Sequence, residues 1–174
     1  ILGWTAAGGF TPAPSSFTAL WGVDFAALRD GATNYISARA VDAAGNSYTR
    51  ADVFKLMKNT VGPAVTITSP AGAYLSTVTA FSGSASAMNE TSPVTGNQVA
   101  IQELTGNLYF DGTSFASAAE VWLGAAGLST WSYNASTVPF AAGVQYKVKA
   151  RSRDVNSFLT PLPYPNASFR LDQV

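Results

Sequence analysis

The sequence predicts an all-β protein built as an antiparallel β-sandwich. Short stretches of alternating apolar and polar residues recur along the 174 residues, and no stretch has the period of a helix. The segments between them are rich in Gly, Pro, Asn and Ser, which is typical of turns between strands. An early and a late part of the chain also share a series of landmarks, and this indicates a repeat.

The repeat is clearest in two stretches, Tyr35–Asp42 and Tyr146–Asp154. Each opens with a tyrosine, continues to an Ala-Arg pair, and places an aspartate three residues beyond the arginine. A tryptophan lies upstream of each stretch and a phenylalanine lies downstream. The shared landmarks are Trp21, Tyr35, Arg39, Asp42 and Phe54 in the first copy, and Trp131, Tyr146, Arg151, Asp154 and Phe169 in the second.

The landmarks predict two modules. Residues 1–60 are interpreted as the C-terminal portion of one repeat, which is incomplete alone, and residues 61–174 as a complete repeat. The joint is the segment 59–63, where Gly and Pro stand between two strand patterns. The first copy lacks counterparts of the strands between Ala64 and about Glu103. Those strands come either from sequence outside this segment or from another chain that complements residues 1–60 by strand addition.

The first module is predicted to hold a hairpin of two strands, 34–41 and 50–56. Its turn is Asp42–Asn46, where Gly45 supplies a positive φ and the Asp and Asn side chains bond nearby backbone. In the second module the Asp111-Gly112 pair between aromatic residues predicts a hairpin. The other strands are predicted at 64–68, 74–84, 97–104, 120–123, 130–134, 145–153 and 167–172.

Composition excludes several functions. The ten basic residues are balanced by ten acidic ones, so no electrostatic signature of a nucleic-acid partner exists. No apolar run is long enough for membrane insertion. Histidine and cysteine are absent, which removes disulfides, thiolate metal sites and the commonest catalytic base. Asp111 and Glu120 could be combined as a carboxylate pair for glycoside hydrolysis, but an Asp-Gly turn already accounts for Asp111. We therefore expect no enzymatic activity.

The pattern resembles bacterial immunoglobulin-like tandem repeat domains of large secreted and surface proteins. The stretches that carry the resemblance are Gly62–Pro70, Tyr109–Gly112 with Trp122, the Ala150-Arg151 pair and the Asp42–Asn46 turn. Two departures are visible: Asn59 stands where the family usually has aspartate, and Asp154-Val-Asn156 lacks the glycine of the family turn. The resemblance implies an immunoglobulin-like fold, an extracellular location on the bacterial cell surface, and a structural or adhesive role.

Two sets of side chains are candidate sites. Asp42, Asn46, Asn59 and Asp154 lie near module ends, where such joints can hold Ca²⁺. Turn chemistry explains them better, so no cofactor is expected. Tyr109, Phe110, Phe115 and Trp122, if exposed, would form a platform for stacking sugars or contacting a protein; core packing is the commoner role of large aromatic residues. Arg39 and Arg151 should point away from the core.

The favoured function is structural: a spacer, stalk or assembly element of a tandem-repeat or filament-forming protein, with neighbouring modules or copies of itself as partners. The alternative is an adhesin module that binds carbohydrate or protein through the aromatic residues near 109–122. A third class is an accessory domain of a secreted enzyme. Exposure of the aromatic side chains discriminates between the first two.

Overall fold

The computed structural model of the chain describes residues 26, 28–89 and 92–172, apart from the side chain of Phe54. Trp21 lies outside these residues. The regular structure in them is β, which confirms the predicted fold class, and they include no helix long and apolar enough to cross a membrane. The strands are β1 (Thr33–Val41), β2 (Ser47–Met57), β3 (Ala64–Ser69), β4 (Tyr74–Leu75), β5 (Ala80–Ser86), β6 (Val94–Glu103), β7 (Leu108–Phe110), β8 (Phe115–Ser117), β9 (Leu123–Ala125), β10 (Thr130–Asn134), β11 (Gln145–Asp154) and β12 (Asn166–Leu171).

The chain divides into two compact units, Ile1–Lys58 and Asn59–Val174. In the described part of the first unit, β1 and β2 pair antiparallel as a hairpin. The turn between them has Gly45 at a φ of +86°, as its sequence predicts. Ile36 faces inward and is buried. A register shift after Ile36 marks a bulge in this hairpin.

The second unit is a sandwich of two sheets. The smaller sheet has the strand order β10-β5-β3, and the larger has the order β4-β12-β11-β6-β7-β8, with β9 also paired to β6. All pairs are antiparallel except that of β4 with β12. In the larger sheet β11 lies between β6 and β12, so its backbone is hydrogen-bonded on both sides.

The core of the second unit lies between the two sheets. Because side chains alternate along each strand, the inner faces of both sheets contribute side chains to this core. Trp131 from the smaller sheet and Tyr146 from the larger are both almost fully buried. Each has its polar atom satisfied: the Trp131 Nε1–H donates to the Ser84 carbonyl at 3.3 Å, and the Tyr146 hydroxyl accepts from the Ala141 N–H at 2.8 Å. These two large aromatic side chains therefore fill the core without leaving a buried polar atom unpaired.

The outer face of the smaller sheet carries no charged residue. Its side chains are short and mostly hydroxylated, and some of them bond across strands, as Thr66 Oγ1 and Ser84 Oγ do at 2.8 Å. We name this surface the hydroxyl face. Its outward residues are Ala64, Thr66, Thr68, Ala80, Ser82, Ser84, Ser86, Thr130, Ser132 and Asn134.

Two strand predictions are wrong. The stretch 74–84 is not one strand: β4 pairs with β12 in the larger sheet, whereas β5 pairs with β3 and β10 in the smaller one. Thr77, Val78 and Thr79 between them are of residue types with high strand propensity, but the available pairing partners decide where a strand forms. The strand predicted at 120–123 is β9 at 123–125 instead, because pairing with β6 recruits Gly124 and Ala125 despite their low propensity. The remaining predicted ranges overlap observed strands.

Candidate functional site

The outward face of the larger sheet carries a row of cations. β11 alternates strictly, so that Tyr146, Val148 and Ala150 are buried in the core. The residues between them point outward, because successive side chains of a strand face opposite sides. Four of these outward residues are basic, and we name them the cationic row: Lys147, Lys149, Arg151 and Arg153.

Arg151 is held in place by two contacts. Its guanidinium carbon lies 4.1 Å from the centre of the Trp122 ring, which is a cation–π distance. Its Nε–H donates to the Gln98 Oε1 at 2.8 Å. Trp122 is itself fixed by an edge contact with Tyr164, with ring centres 5.1 Å apart. The guanidinium is therefore pre-oriented, while its two terminal nitrogens have no partner among the described residues.

Lys149 lies one step along the row and is paired. Its Nζ donates to the Glu120 Oε1 at 2.6 Å and lies 5.8 Å from the centre of the Tyr109 ring. The hydrogen bond from Glu120 raises the pKa of Lys149, partial burial opposes that shift, and the Glu120 charge adds to it. Glu120 thus neutralises the charge of one member of the cationic row, and the segment that carries Glu120 lies over the outward face of the larger sheet.

We expect the Glu120→Gln substitution to lower the pKa of Lys149 toward its ordinary value, because the dominant cause of the raised pKa is the Glu120 hydrogen bond. Titration of the Lys149 side-chain resonances by NMR measures this. Stability should fall by less than ~1 kcal/mol, as for a partly exposed ion pair. The matched control is Glu103→Gln, whose carboxylate accepts from Thr105 and Gly106 instead. An unchanged pKa in the Glu120 variant would contradict the assignment.

The four predicted aromatic residues do not form one group. Phe110 is 1% exposed. Phe115 packs in the core, with its ring centre 5.5 Å from that of Phe110 and 5.3 Å from that of Tyr146. Tyr109 and Trp122 are half-buried and lie beside the cationic row. The hairpin at Asp111-Gly112 explains the division, since alternation along β7 turns Tyr109 outward and Phe110 inward.

The aspartates at the ends of β1 and β11 form turns with the same hydrogen bonds. Asp42 Oδ1 accepts from the N–H groups of Ala44 and Asn46 at 2.9 and 2.8 Å. Its backbone N–H donates to the Asn46 carbonyl, and its carbonyl accepts from the Gly45 N–H. These bonds, with the Asn46 side-chain amide first among them, lower the pKa of Asp42.

Asp154 repeats this arrangement at the same offsets. Its Oδ1 accepts from the N–H groups of Asn156 and Phe158, both at 2.9 Å. Its backbone N–H donates to the Phe158 carbonyl, and its carbonyl accepts from the Ser157 N–H. Ser157 has a φ of +69°, at the position that Gly45 occupies in the first turn. The missing glycine therefore leaves the turn geometry unchanged.

The two turns differ in their surroundings. Asp42 is exposed, whereas Asp154 is buried with 2% of its surface exposed. The second oxygen of Asp154 accepts from the Asn59 Nδ2 at 2.8 Å, and the same amide lies 2.8 Å from Ser92 Oγ. Asn59 is thus a hydrogen-bond donor to Asp154. The described residues contain no group of three or more His, Cys, Asp or Glu side chains that could hold a metal ion.

The other two predicted carboxylates have separate local roles. Asp111 Oδ1 accepts from the N–H groups of Thr113 and Ser114, both at 2.8 Å. These bonds, the one from Ser114 first, lower the pKa of Asp111. Glu120 is engaged with Lys149. The Asp-Gly turn thus accounts for Asp111, as its sequence predicts.

The tyrosines of the two copies do not occupy equivalent positions. Tyr35 is 62% exposed and Tyr146 is 1% exposed, whereas the shared landmarks predict equivalent positions for them. Arg39 is exposed and Arg151 is half-buried against Trp122. Phe169 lies in the core, and the side chain of Phe54 falls outside the described part of the chain. The two copies therefore match closely at the aspartate turn and poorly at the start of the preceding strand.

Sequence reasoning missed most of the residues that surround Arg151. Gln98 and Tyr164 come from distant parts of the chain, and no local pattern connects them to β11. The cationic row had a signal, because a basic residue stands at every second position from Lys147 to Arg153. That alternation beside buried apolar residues is typical of an outward face.

No protein-family model matches the sequence, and no curated protein is significantly similar to it.

Proposed function

We propose that this chain is a non-catalytic, extracellular structural module of a bacterial tandem-repeat surface or filament-forming protein. In this proposal its repeats are immunoglobulin-like and serve as a spacer, stalk or assembly element. The observation that carries the proposal is the pair of turns at Asp42 and Asp154. They close strands in different units with the same hydrogen bonds at the same offsets. Repetition of a whole turn supports an origin from a repeated module.

The hydroxyl face supports an assembly role. Packing two charged surfaces together requires removing water from ions, which costs free energy unless every ion is paired. A face without charge avoids this cost, and Ser and Thr hydroxyls can re-form hydrogen bonds with a neighbour. Neighbouring modules or copies of the same chain are the partners that this surface suits.

The first unit supports continuation of the array. Its sequence lacks counterparts of the strands between Ala64 and about Glu103 of the second unit. Tyr35 and Tyr48 are large side chains that lie exposed on this hairpin, at 62% and 73%. We propose that further strands reach it from neighbouring sequence of the parent protein, with complementation by another chain as the second route.

Immunogold labelling of intact cells that produce the parent protein tests the location. Antibodies against residues 59–174 should label cells without permeabilisation, because a spacer or stalk is exposed outside the cell. A periplasmic protein processed identically is the matched control and should remain unlabelled. Labelling that requires permeabilisation would contradict the extracellular part of the proposal.

Sedimentation of the purified chain tests how the first unit is completed. Completion by neighbouring sequence predicts a monomer at every concentration, whereas complementation in trans predicts head-to-tail oligomers that dissociate on dilution. Hydrogen exchange at the β1–β2 amides, measured in the same samples, shows whether the hairpin is folded. A dilution-resistant monomer with a protected hairpin would exclude complementation by another chain.

A second candidate function is adhesion, and Tyr109 and Trp122 favour it. Both lie on the outward face of the larger sheet beside the cationic row. An aromatic surface flanked by hydrogen-bond donors suits a carbohydrate or protein ligand.

A further inference from the structure

We infer that the cationic row, together with Tyr109 and Trp122, binds a linear anionic polysaccharide through its carboxylate or sulfate groups. The inference names a ligand class for the adhesion function and rests on that second candidate. It is independent of the structural role. The ligand lies along β11 on the outer face of the larger sheet and contacts side chains only.

Arg151 is the centre of this site. A guanidinium whose position is already fixed loses little side-chain entropy when it binds an anion. The Trp122 ring at 4.1 Å and the Gln98 oxygen at 2.8 Å supply that fixation. The Nε–H is used by Gln98, so the terminal nitrogens remain for the ligand. Their planar geometry matches the two oxygens of a carboxylate or sulfate.

The charge of the row points to an extended anion. Glu120 pairs with Lys149, but no carboxylate in the described part of the chain pairs with Lys147 or Arg153. Alternate residues of a strand lie ~6.6 Å apart, so the cations repeat at a regular interval along a straight line. A polymer that repeats its own charge can contact several of them at once.

The position of β11 excludes one mode of peptide binding. An extended peptide binds a sheet by pairing with a free edge, and β11 is paired on both sides, with β6 and β12. A sugar ring presents an apolar C–H face that suits the flanking aromatic side chains, while its acidic groups reach the cations. These features together favour a polysaccharide.

The test is calorimetric titration of the full chain with polygalacturonate, with dextran sulfate and with neutral dextran. Binding to at least one charged polymer is expected, with weaker affinity as salt rises, and the preferred polymer identifies carboxylate or sulfate as the group bound. R151Q should weaken binding by about tenfold or more, the effect of losing a charge-assisted contact. The double variant K147Q/R153Q changes two surface residues and should weaken it similarly. R50Q removes one positive charge from β2 and is the matched control, expected to bind within about twofold of the unchanged chain.

Several results would overturn the inference. They are equal weakening by R50Q and R151Q, unchanged binding in both cationic-row variants, or equal affinity for duplex DNA or polyglutamate. Binding to neutral dextran alone would overturn the anionic ligand class while leaving the adhesion function standing. Circular dichroism of each variant separates a binding defect from loss of fold. The K147Q/R153Q variant, which changes a half-buried and an exposed side chain on the outward face, provides a test if R151Q does not fold.

Discussion

Replacing Asp154 with alanine should destabilise the second unit by about 3 kcal/mol, because a buried acceptor is lost and its donors remain. The N–H groups of Asn156 and Phe158 and the amide of Asn59 all donate to this carboxylate. Each donor left without a partner in a part-buried site costs ~1–3 kcal/mol, and some of these will be re-satisfied by water. Urea denaturation followed by tryptophan fluorescence measures the change.

The matched control is Asp42→Ala, which removes the same turn acceptor from an exposed position of the first unit. It should leave the unfolding transition of the second unit unchanged. Asp154→Asn should give an intermediate loss, because it keeps one acceptor oxygen but turns an amide toward either Asn59 or the turn. A loss in D154A no larger than that in D42A would show that the buried network contributes nothing.

Replacing Trp131 with alanine should lower the free energy of unfolding of the second unit by ~3–5 kcal/mol, the range for deleting a large buried aromatic side chain. Trp131 is 2% exposed and belongs to the main core cluster. Its loss leaves a cavity beside Gly83 that neighbouring strands cannot close without breaking their pairing. Because the variant also loses a fluorophore, calorimetry or circular dichroism should measure the transition.

Gly83 lies against the Trp131 ring, so a substitution at Gly83 tests the same part of the core. A Cβ at this position would lie 1.9 Å from the Thr66 carbonyl oxygen and 2.6 Å from the Trp131 ring. Gly83→Ala should therefore destabilise the unit by overpacking. Combined with Trp131→Ala it should remain destabilising, because the Thr66 oxygen is backbone in the paired strand β3 and cannot withdraw. Full rescue of G83A by W131A would show that only the ring, and not the backbone, excludes the methyl group.

Local chemistry explains which parts of the fold could be predicted from the sequence. The Asp111-Gly112 hairpin and the Gly45 turn are determined by residues within a few positions of each other. The break between β4 and β5 is not, because it depends on which sheet each half pairs with. The alternating pattern of β11 correctly places Tyr146 in the core, since the next three residues on the same face, Val148, Ala150 and Ser152, are apolar or small.

The different environments of Tyr35 and Tyr146 also have a sequence explanation. Tyr35 and Arg39 are separated by an even step along their strand, whereas Tyr146 and Arg151 are separated by an odd one. Because side chains alternate between faces, one extra residue moves a landmark to the other side of the sheet. Aligning the copies on the Ala-Arg pair places Ile36 opposite Val148, and both of these are buried. The alternation of side chains along the strands therefore indicates that the two copies should be aligned on the Ala-Arg pair and not on the tyrosine.

The candidate site was harder to predict than the fold. Lys147 to Arg153 alternates in the sequence itself, but the groups that orient Arg151 come from β6 and from loops before β9 and β12. Glu120 precedes Lys149 by many residues, and nothing local links the two. Only the packing of loops onto the sheet brings these partners together.

The two exteriors of the sandwich respond differently to the surrounding medium. Dissolved ions screen the attraction between exposed charges, most strongly beyond a Debye length of ~8 Å at physiological ionic strength, and added salt shortens that length. A contact made through the hydroxyl face would contain no charged side chains, whereas a contact made along β11 would depend on the cationic row. High salt is thus expected to release a ligand bound along β11 and to leave any association made through the hydroxyl face intact.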